Sequence, residues 1–531
     1  MSDSLFEHPV AEQSCPQPVR IKGGKRFLEV PARSQQSLAV RCVDDMVPAD
    51  AYVRVVAWLV GQLDLAWLEG LYPGGGRPAY DPRLLVALLV YANTIGVRSA
   101  RELSRRLEYD LNFMWLASET RIDHRTVCRF RRKLGDGFKQ ILRQVVKLAI
   151  DYRLPKLGSI AIDGTKIAAS AKRRALRADE FDQAFRRIDE QLANILEEAE
   201  ACDAAEDAAH GESRGDAVEP DALDLAALEA RREKLLEKAR RLEHRRERHL
   251  QAQEIQRQSG QERVSVTDPE ALVQKTQDGT RPGYNGQIAV DTDSGLIMAA
   301  ELVSDQNDTA QLIPMAEQVK EAIGEVPPVV VADAGYQSPE ALEAAQTLRA
   351  GDETSSPPVT VYIAQRPARA DGLWGHERFS YDAERDLWVC PEGHELPFKT
   401  IKSLRNGQYR SYRASARCCR DCPRRAECIS AKARYRLLAI SAQEPQLARM
   451  RQAVASEAGK AALQRRCETV EPAFGVMKAV QGLRQHLLRG LEGARIEFLL
   501  AAIGFNIRKL ARAAYDARVP CPLLAPEAQR A

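Results

Sequence analysis

The sequence lacks any apolar run near the ~20 residues that a membrane-spanning helix requires. Its N-terminal stretch, MSDSLFEHPVAEQSC, lacks the apolar core of a secretory signal peptide. The 11 cysteines are odd in number, and isolated ones such as Cys42, Cys128 and Cys521 are typical of a reducing compartment rather than of a disulfide framework. These absences argue against a membrane or secreted protein, and we expect a cytoplasmic one.

Charge is strongly segregated along the 531 residues, although the net charge is only +3. Residues 179–230 contain 17 acidic and three basic residues, whereas residues 399–436 contain 12 basic and two acidic ones. Such blocks indicate that one surface faces a polyanion while another segment is solvated. A charged face that is simply kept in water is the alternative for the basic block. The length allows several domains, since one domain typically takes ~100–200 residues.

The N-terminal third has the signals of several short helices. Apolar residues recur at steps of three and four over residues 50–70, at Val53, Val56, Val60, Leu63 and Trp67. Asp81 before Pro82 predicts a helix start, and Ser99 with Glu102 has the pattern of a capping box at the start of SARELSRRLEYDLNFMWLA. A further helix is predicted after Asp123.

The last of these helices is basic. Residues 98–139 contain 11 Lys or Arg and six Asp or Glu. Short helices that end in a basic one are typical of a helix-turn-helix-like DNA-binding domain. The candidates for phosphate or base contacts are Arg125, Arg129, Arg131 and Arg132. Ordinary helical packing with a basic exterior also explains the pattern.

Two aspartates follow short apolar strand patterns. Asp163 follows Ser159–Ile162, and Asp333 follows Val329–Ala332. Ligands of open α/β sheets bind outside the ends of strands, so neighbouring strands would bring both carboxylates to one edge. Either aspartate alone is more often a turn or cap residue, but the pair predicts a site for a divalent metal ion.

A third carboxylate is predicted on a later helix. Glu471 lies near the expected start of that helix, with Thr469 as its N-cap and Pro472 in its first turn. Lys478 is seven residues on, so it shares a helix face with Glu471 and could hold a phosphate. Glu468 is the alternative third ligand.

Cysteines cluster between residues 390 and 428. The pair Cys419 and Cys422 has the spacing of a metal knuckle, and Cys390 with Cys428 could complete four thiolates around zinc. His394 could stand in for one of them, and Cys418 is a fifth nearby thiol. Free thiols without metal are one alternative, and disulfides, which a reducing compartment disfavours, are the other.

The segments AIDGTKI, VVVADAGY and VEPAFGVMK resemble the three catalytic motifs of DDE-type insertion-sequence transposases with an RNase H-like core. The group that the chain resembles most is insertion-sequence family number 1182. GRPAYDPRLLVALLVYA, DHRTVCRFRR, YNGQIAVD, NDTAQLIPM and CRDCPRRAEC are similar to other segments of that group. The resemblance runs from about residue 38 to residue 512.

The resemblance implies the chemistry. Asp163, Asp333 and Glu471 match the metal-binding triad, and Lys478 completes the Glu-x6-Lys element. Two Mg²⁺ (or Mn²⁺) ions would clamp the scissile phosphate of double-stranded DNA. Water would free a 3′-OH at the terminal inverted repeat, and that hydroxyl would attack target DNA. A homodimer would hold the two ends.

The sequence departs from the family at one position. Related transposases carry an arginine four residues before the glutamate, where this chain has Cys467. Arg465 and Arg466 precede it and are the candidates for that DNA contact.

We therefore expect an α/β RNase H-like core, a mixed sheet flanked by helices, with an all-α N-terminal domain, an inserted helical hairpin and a Cys-rich insertion. Within the core, the pattern predicts a strand hairpin around residues 293–295 and helices from about Asp308 to Ile323 and from Pro339. Residues 208–222 are expected to form a flexible tip of the helical hairpin. The expected boundaries are a flexible tail at 1–35, a helical DNA-binding domain at 36–150, the catalytic core at 151–175, 276–365 and 455–515, a charged hairpin at 176–275, a basic Cys-rich insertion at 366–454 and a C-terminal tail at 516–531. The expected function is DNA transposition; a host-adopted nuclease and a catalytically dead DNA-binding protein are the alternatives.

Overall fold

The structure is a computed structural model that describes residues 18–20, 26–28, 42–72, 79–210, 222–276, 279–351, 355–365, 373–404 and 407–524. The chain divides into two compact units, residues 1–46 and 47–531. In the first unit, β1 (Pro18–Arg20) pairs antiparallel with β2 (Arg26–Leu28). The rest of the predicted N-terminal tail lies outside the described residues. In the part of the chain that is described, no helix is long and apolar enough to cross a membrane.

The second unit begins with helices. In its described part they are α1 (Tyr52–Gly61), α2 (Pro82–Thr94), α3 (Ala100–Tyr109), α4 (Leu111–Leu116), α5 (His124–Leu134) and α6 (Gly137–Asp151). The sequence predicts the regions of α1 to α5, with α3 and α4 as one helix, but not α6. The caps at Asp81 and Ser99 are confirmed, since their side chains accept from the backbone N–H groups of residues 83 and 102. The capping box is half formed, because the Glu102 carboxylate accepts from Arg106 and Tyr109 instead.

Two predicted helices are shorter than their apolar patterns. The helix predicted over residues 50–70 is wrong beyond Gly61, where α1 ends; a 3₁₀ helix follows at Ala66–Leu71. The Asp64 carboxylate accepts from the backbone N–H of residue 66, a local bond that competes with the helix. Asp110 likewise separates α3 from α4, because its side chain accepts from the backbone N–H of residue 112 and so caps α4.

A six-stranded mixed sheet forms the centre of the second unit. Its strands are β3 (Ser159–Ala168), β4 (Leu272–Thr276), β5 (Gly279–Asp291), β6 (Ile297–Val303), β7 (Val329–Ala332) and β8 (Thr360–Ile363). Strand β5 pairs antiparallel with β3, β4 and β6, whereas β7 pairs parallel with both β3 and β8. The turn between β5 and β6 is the predicted hairpin, with Gly295 at a φ of +65°.

The predicted end of β3 at Ile162 is wrong. β3 continues to Ala168 because β5 pairs with it along the whole of that length. Its parallel pairing with β7 does stop at Ile162, opposite Ala332. Asp163 therefore lies inside a strand, at the point where the neighbouring strand ends.

Two helices connect the later strands of the sheet. They are α9 (Leu312–Ile323) and α10 (Pro339–Thr347). The predicted start of α9 at about Asp308 is four residues too early. The predicted start of α10 is confirmed, with Ser338 accepting from the backbone N–H of residue 341.

Two long helices follow β3, α7 (Ala178–His210) and α8 (Ala222–Ser259). They pack against each other, with an ion pair of 3.2 Å between Arg246 Nε and Asp189 Oδ1. At their base, Phe181 and Ala252 are buried in a small apolar cluster. Residues 211–221, which are most of the predicted flexible tip, lie outside the described residues.

A second sheet lies between β8 and the C-terminal helices. Its strands pair in the order β9 (Ser380–Asp382), β10 (Leu387–Val389), β11 (Glu395–Leu404), β12 (Gly407–Arg413) and β13 (Leu437–Ser441), all antiparallel. Two short helices, α11 (Ala416–Arg420) and α12 (Arg425–Cys428), connect β12 to β13. The sheet has its own apolar core, which includes Trp388, Leu396 and Tyr412.

The C-terminal helices are α13 (Glu444–Ala455), α14 (Glu457–Ala479) and α15 (Gly490–Tyr515). The predicted start of a helix at Thr469 is wrong, because Ser456 caps α14 and Thr469 lies inside it. The Thr469 hydroxyl donates to the carbonyl of residue 465. Pro472 is therefore in the helix interior, where it removes a backbone donor.

Helix α15 is almost fully buried and connects the sheet to the N-terminal helices. It packs against β6 and against α1, α2 and α6. Its Glu497, 3% exposed, forms a 2.8 Å ion pair with Arg98. Arg98 also donates to the carbonyls of Gly482 and Gln485, which follow α14. The described N-terminal helices and sheet thus share one continuous core.

Candidate active site

Asp163 and Asp333 lie side by side where β7 ends, because their strands are parallel neighbours in register. Asp163 Oδ1 accepts from the Gly164 N–H at 2.7 Å. Asp333 follows β7 directly and caps a short 3₁₀ turn, accepting from the Gly335 N–H at 2.7 Å. These backbone bonds fix the orientation of both carboxylates.

An arginine from α14 lies between the two carboxylates. Arg466 Nη2 is 2.9 Å from Asp163 Oδ2 and 3.8 Å from Asp333 Oδ2. The Arg466 and Asp163 side chains are 12% and 16% exposed, whereas Asp333 is 38% exposed. The guanidinium supplies the positive charge that two adjacent carboxylates require in a partly buried place.

A third carboxylate, Asp308, adjoins this pair and is absent from the sequence prediction. Its Oδ1 accepts from Asn285 Nδ2 at 2.6 Å, from Gln287 Nε2 at 2.7 Å and from Lys166 Nζ at 3.3 Å. A signal for it does exist in the sequence. Asn285 and Gln287 lie two residues apart in an apolar strand, so they share one face, and both are fully buried. Buried amides need partners.

Two glycines lie close against Asp308. A Cβ at Gly164 would lie 2.7 Å from Asp308 Oδ1. A Cβ at Gly335 would lie 2.9 Å from Asp333 Oδ1 and 3.3 Å from Asp308 Oδ2. A side chain at either position would therefore require these carboxylates to shift.

The other two predicted residues of α14, Lys478 and Glu471, differ in their surroundings. Lys478 Nζ donates to Thr165 Oγ1 at 2.5 Å, so it reaches β3 two residues beyond Asp163. Glu471 is exposed. Among the described residues, no three His, Cys, Asp or Glu side chains are arranged to hold a metal ion. The structure therefore brings Asp163 and Asp333 together, but it does not assemble them with Glu471.

The predicted DNA-binding arginines divide into two groups. Arg125, Arg129 and Arg132 are exposed on α5. Arg131 is 3% exposed and donates to the carbonyl of Arg98 at 2.9 Å, so it belongs to the packing of α5 rather than to its outer face.

Arg465 of α14 is exposed, and its Nη1 is 3.8 Å from Asp293 Oδ1, in the turn between β5 and β6.

The cysteines of the second sheet surround one small space. It has a volume of about 30 Å³, and the residues that line it include Cys390, Cys418, Cys419, Cys422, Cys428 and His394. Burial raises the pKa of the Cys428 thiol, and the neighbouring thiols add to that shift. As they stand, their sulfur atoms are not arranged as a metal-binding group.

Family models of known proteins match two parts of the chain. Residues 389–511 match the model described as Transposase DDE domain, and residues 41–133 match Transposase domain (DUF772). They support an insertion-sequence transposase of DDE type. The first match includes Glu471 and Lys478, whereas Asp163 and Asp333 lie outside both. No curated protein and no solved structure matches the chain.

The matches agree with the coarse expectations from the sequence. A DDE transposase domain implies nuclease and transposition activity, and transposases act on DNA. The mixed α/β architecture is consistent with a DDE transposase.

The electrostatics of Asp163 generate a testable pH dependence. Burial raises the pKa of Asp163 from 3.8 to about 6, with Asp333 and Asp308 adding to the shift and Arg466 opposing it. Above pH 6 the Asp163 carboxylate is ionised in the folded protein although it is largely buried. Stability should therefore fall by about 3 kcal/mol as the pH rises from 3.8 to about 6.

We expect Asp163→Asn to remove this dependence. In the presence of a chelator, the variant should melt at a higher temperature than the wild type at pH 7.5, and the difference should vanish near pH 4. Asp182→Asn, at an exposed position on α7, is the control and should change neither curve. A stabilisation by Asp163→Asn that is the same at both pH values would contradict the burial of a charge at this position.

Proposed function

We propose that the protein is a DNA transposase of insertion-sequence family number 1182, which binds the ends of its element and cuts and joins DNA with Asp163, Asp333 and Glu471. The observation that carries the proposal is the pair of carboxylates held side by side at the end of parallel strands, with Arg466 between them. The two transposase-domain matches support it.

The order of the strands supports an RNase H-like arrangement of the core. Three antiparallel strands, β6, β5 and β3, are followed across the sheet by β7 and β8, both parallel to β3. Such an order places the end of β7 next to the middle of β3. Carboxylates at these two places can therefore act on one phosphodiester.

The chemistry of the donors fits Mg²⁺ or Mn²⁺, since the candidate ligands are all carboxylate oxygens. Divalent ions held there would supply Lewis-acid stabilisation of the charge at the scissile phosphate. Arg466 offsets part of the negative charge of Asp163 and Asp333. Lys478, beside Thr165, is placed to hold a DNA phosphate next to the carboxylates.

The proposed reaction has two steps. Water attacks a phosphodiester at the terminal inverted repeat, the P–O bond to the 3′ oxygen breaks, and a 3′-OH is released. That hydroxyl then attacks a phosphodiester of target DNA, so one P–O bond forms while another breaks and no ATP is needed. The outer face of α5 would contact the DNA through Arg125, Arg129 and Arg132. Arg465 of α14 would also contact it.

Two assemblies belong to the same proposal. A homodimer would hold the two ends of the element in the synaptic complex. Residues 366–454 would act as a basic DNA-contacting module stabilised by zinc on Cys390, Cys419, Cys422 and Cys428.

The exposed position of Glu471 favours a second candidate function. A protein in which Glu471 never joins Asp163 and Asp333 would bind DNA without cutting it. Cleavage in the presence of a divalent ion distinguishes the two functions.

We expect Asp163→Asn, Asp333→Asn and Glu471→Gln each to reduce Mg²⁺-dependent cleavage of a DNA fragment that carries the ends of the element by a factor of about 10³ or more. DNA binding measured by gel shift should persist, because the changes remove negative charge. Glu468→Gln, one helical turn before Glu471, is the matched control and should cleave normally. Near-normal cleavage by a variant would remove that residue from the triad, and binding without cleavage by the wild type would favour the second candidate.

We also expect the purified protein to contain about one zinc ion per chain, since four thiolates suffice for a structural site. Cys419→Ser should lose the metal and lower the melting temperature, whereas Cys418→Ser should retain both. Elemental analysis of protein that is purified without added metal makes the measurement. Absence of zinc from the wild type would contradict the proposed site.

A further inference from the structure

A strongly basic cleft lies at the base of the helical hairpin. It has a volume of about 580 Å³, and six cationic side chains line it: Lys172, Arg174, Arg187, Arg245, Arg248 and Arg489. Among the described residues that line it, Glu180 is the one carboxylate. Six cations and one carboxylate leave a surplus of five positive charges, which is a setting for a polyanion.

Most of this charge is not neutralised within the protein. Arg174 forms an ion pair of 3.1 Å with Glu180. Arg248 donates to the His244 carbonyl, which leaves its positive charge uncompensated. In the described part of the chain, Lys172, Arg187 and Arg245 form no ion pair with any carboxylate. Three exposed cations, one before α7, one on α7 and one on α8, therefore line the cleft without forming an ion pair.

The base of the hairpin is held firmly enough to fix these side chains. Leu176, before α7, and Val264, after α8, exchange two backbone hydrogen bonds of 2.8 and 2.9 Å. Both pack with Phe181 and Ala252 in the small apolar cluster. The cations thus project from a packed junction rather than from the far end of the hairpin.

The cleft adjoins the end of β3, the strand that carries Asp163. The segment after α14 runs along the end of β3, where Ala168 accepts from the His486 N–H, and Arg489 Nε donates to the Ser170 carbonyl at 3.2 Å. From Asp163 to Ala168 the strand covers about 17 Å, the length of about five base pairs of duplex. Lys478 lies on that path, bonded to Thr165.

We propose that this cleft binds the phosphate backbone of duplex DNA at least about half a helical turn from the phosphodiester at the carboxylates. The proposal rests on the proposed function, and it assigns to the helical hairpin a role in holding DNA. Its chemistry is the neutralisation of phosphates by Lys and Arg, which carries no sequence preference and is weakened by salt.

The test is the salt dependence of DNA binding without catalysis. The probe is a fluorescent duplex of arbitrary sequence, about 30 base pairs long or roughly three helical turns, in a chelating buffer. The double variant Arg187→Ala with Arg245→Ala removes one cleft cation from each hairpin helix. The matched control, Arg186→Ala with Arg240→Ala, removes one exposed cation from each helix outside the cleft.

We expect the slope of log K against log salt concentration, measured between about 50 and 200 mM, to be less negative by about 2 for the cleft variant and unchanged for the control. Equal slopes for the cleft variant and the wild type would overturn the proposal, and so would equal losses in both variants. A cleft variant that binds DNA normally but loses self-association in sedimentation would also overturn it, since an acidic segment of a second copy would then be the occupant. Failure of the wild type to bind any duplex would contradict the proposed function itself, and this proposal with it.

Discussion

The parallel pairing of β3 with β7 is the constraint on which the candidate site depends. It ends at Ile162 and Ala332, so the next residue of each strand is an aspartate and the two carboxylates are forced together. Two adjacent, partly buried carboxylates repel each other, and this is costly unless a cation lies between them. Arg466 fulfils that role here, from a helix that packs across both strands. The sheet, α14 and the charges of the site are therefore one interdependent unit.

Buried arginines connect the N-terminal helices to this unit. Arg131 of α5 donates to the carbonyl of Arg98. Arg98 in turn donates to the segment after α14 and pairs with Glu497 of the buried α15. That same segment runs along β3 toward the basic cleft. The helix with exposed arginines and the two carboxylates are thus attached to one continuous core, and the cleft adjoins it through this segment.

Local sequence signals predicted the parts of the site that depend on local chemistry. Asp333 follows an apolar strand and caps a turn, and Ser338 before Pro339 starts a helix, as expected. The errors arise where a distant partner overrides the local signal. Asp163 stays within β3 because β5 continues alongside it, and Thr469 and Pro472 lie within a helix that begins 12 residues before Thr469. The sequence pattern of α14 contains nothing that separates a first-turn proline from an interior one.

Asp308 shows the same limit. It reads as the start of a helix, and only the fold brings Asn285, Gln287 and Lys166 onto its carboxylate.

Arg131 is a different case, because a local signal was overlooked. It lies on the helix face of Val127, Phe130 and Leu134, so helical spacing separates it from its exposed neighbours on α5, and it is 3% exposed.

The central claim is that Asp163 and Asp333 bind a divalent metal ion, and affinity cleavage with Fe²⁺ tests it most directly. Iron bound in place of Mg²⁺, with peroxide and ascorbate, generates hydroxyl radicals that cut the polypeptide backbone near the ion. The account predicts cuts in β3 around residue 163 and in the turn after β7 around residue 333, suppressed by Mg²⁺ and lost in Asp163→Asn. Absence of cuts at both places, or the same cuts in the variant, would contradict it.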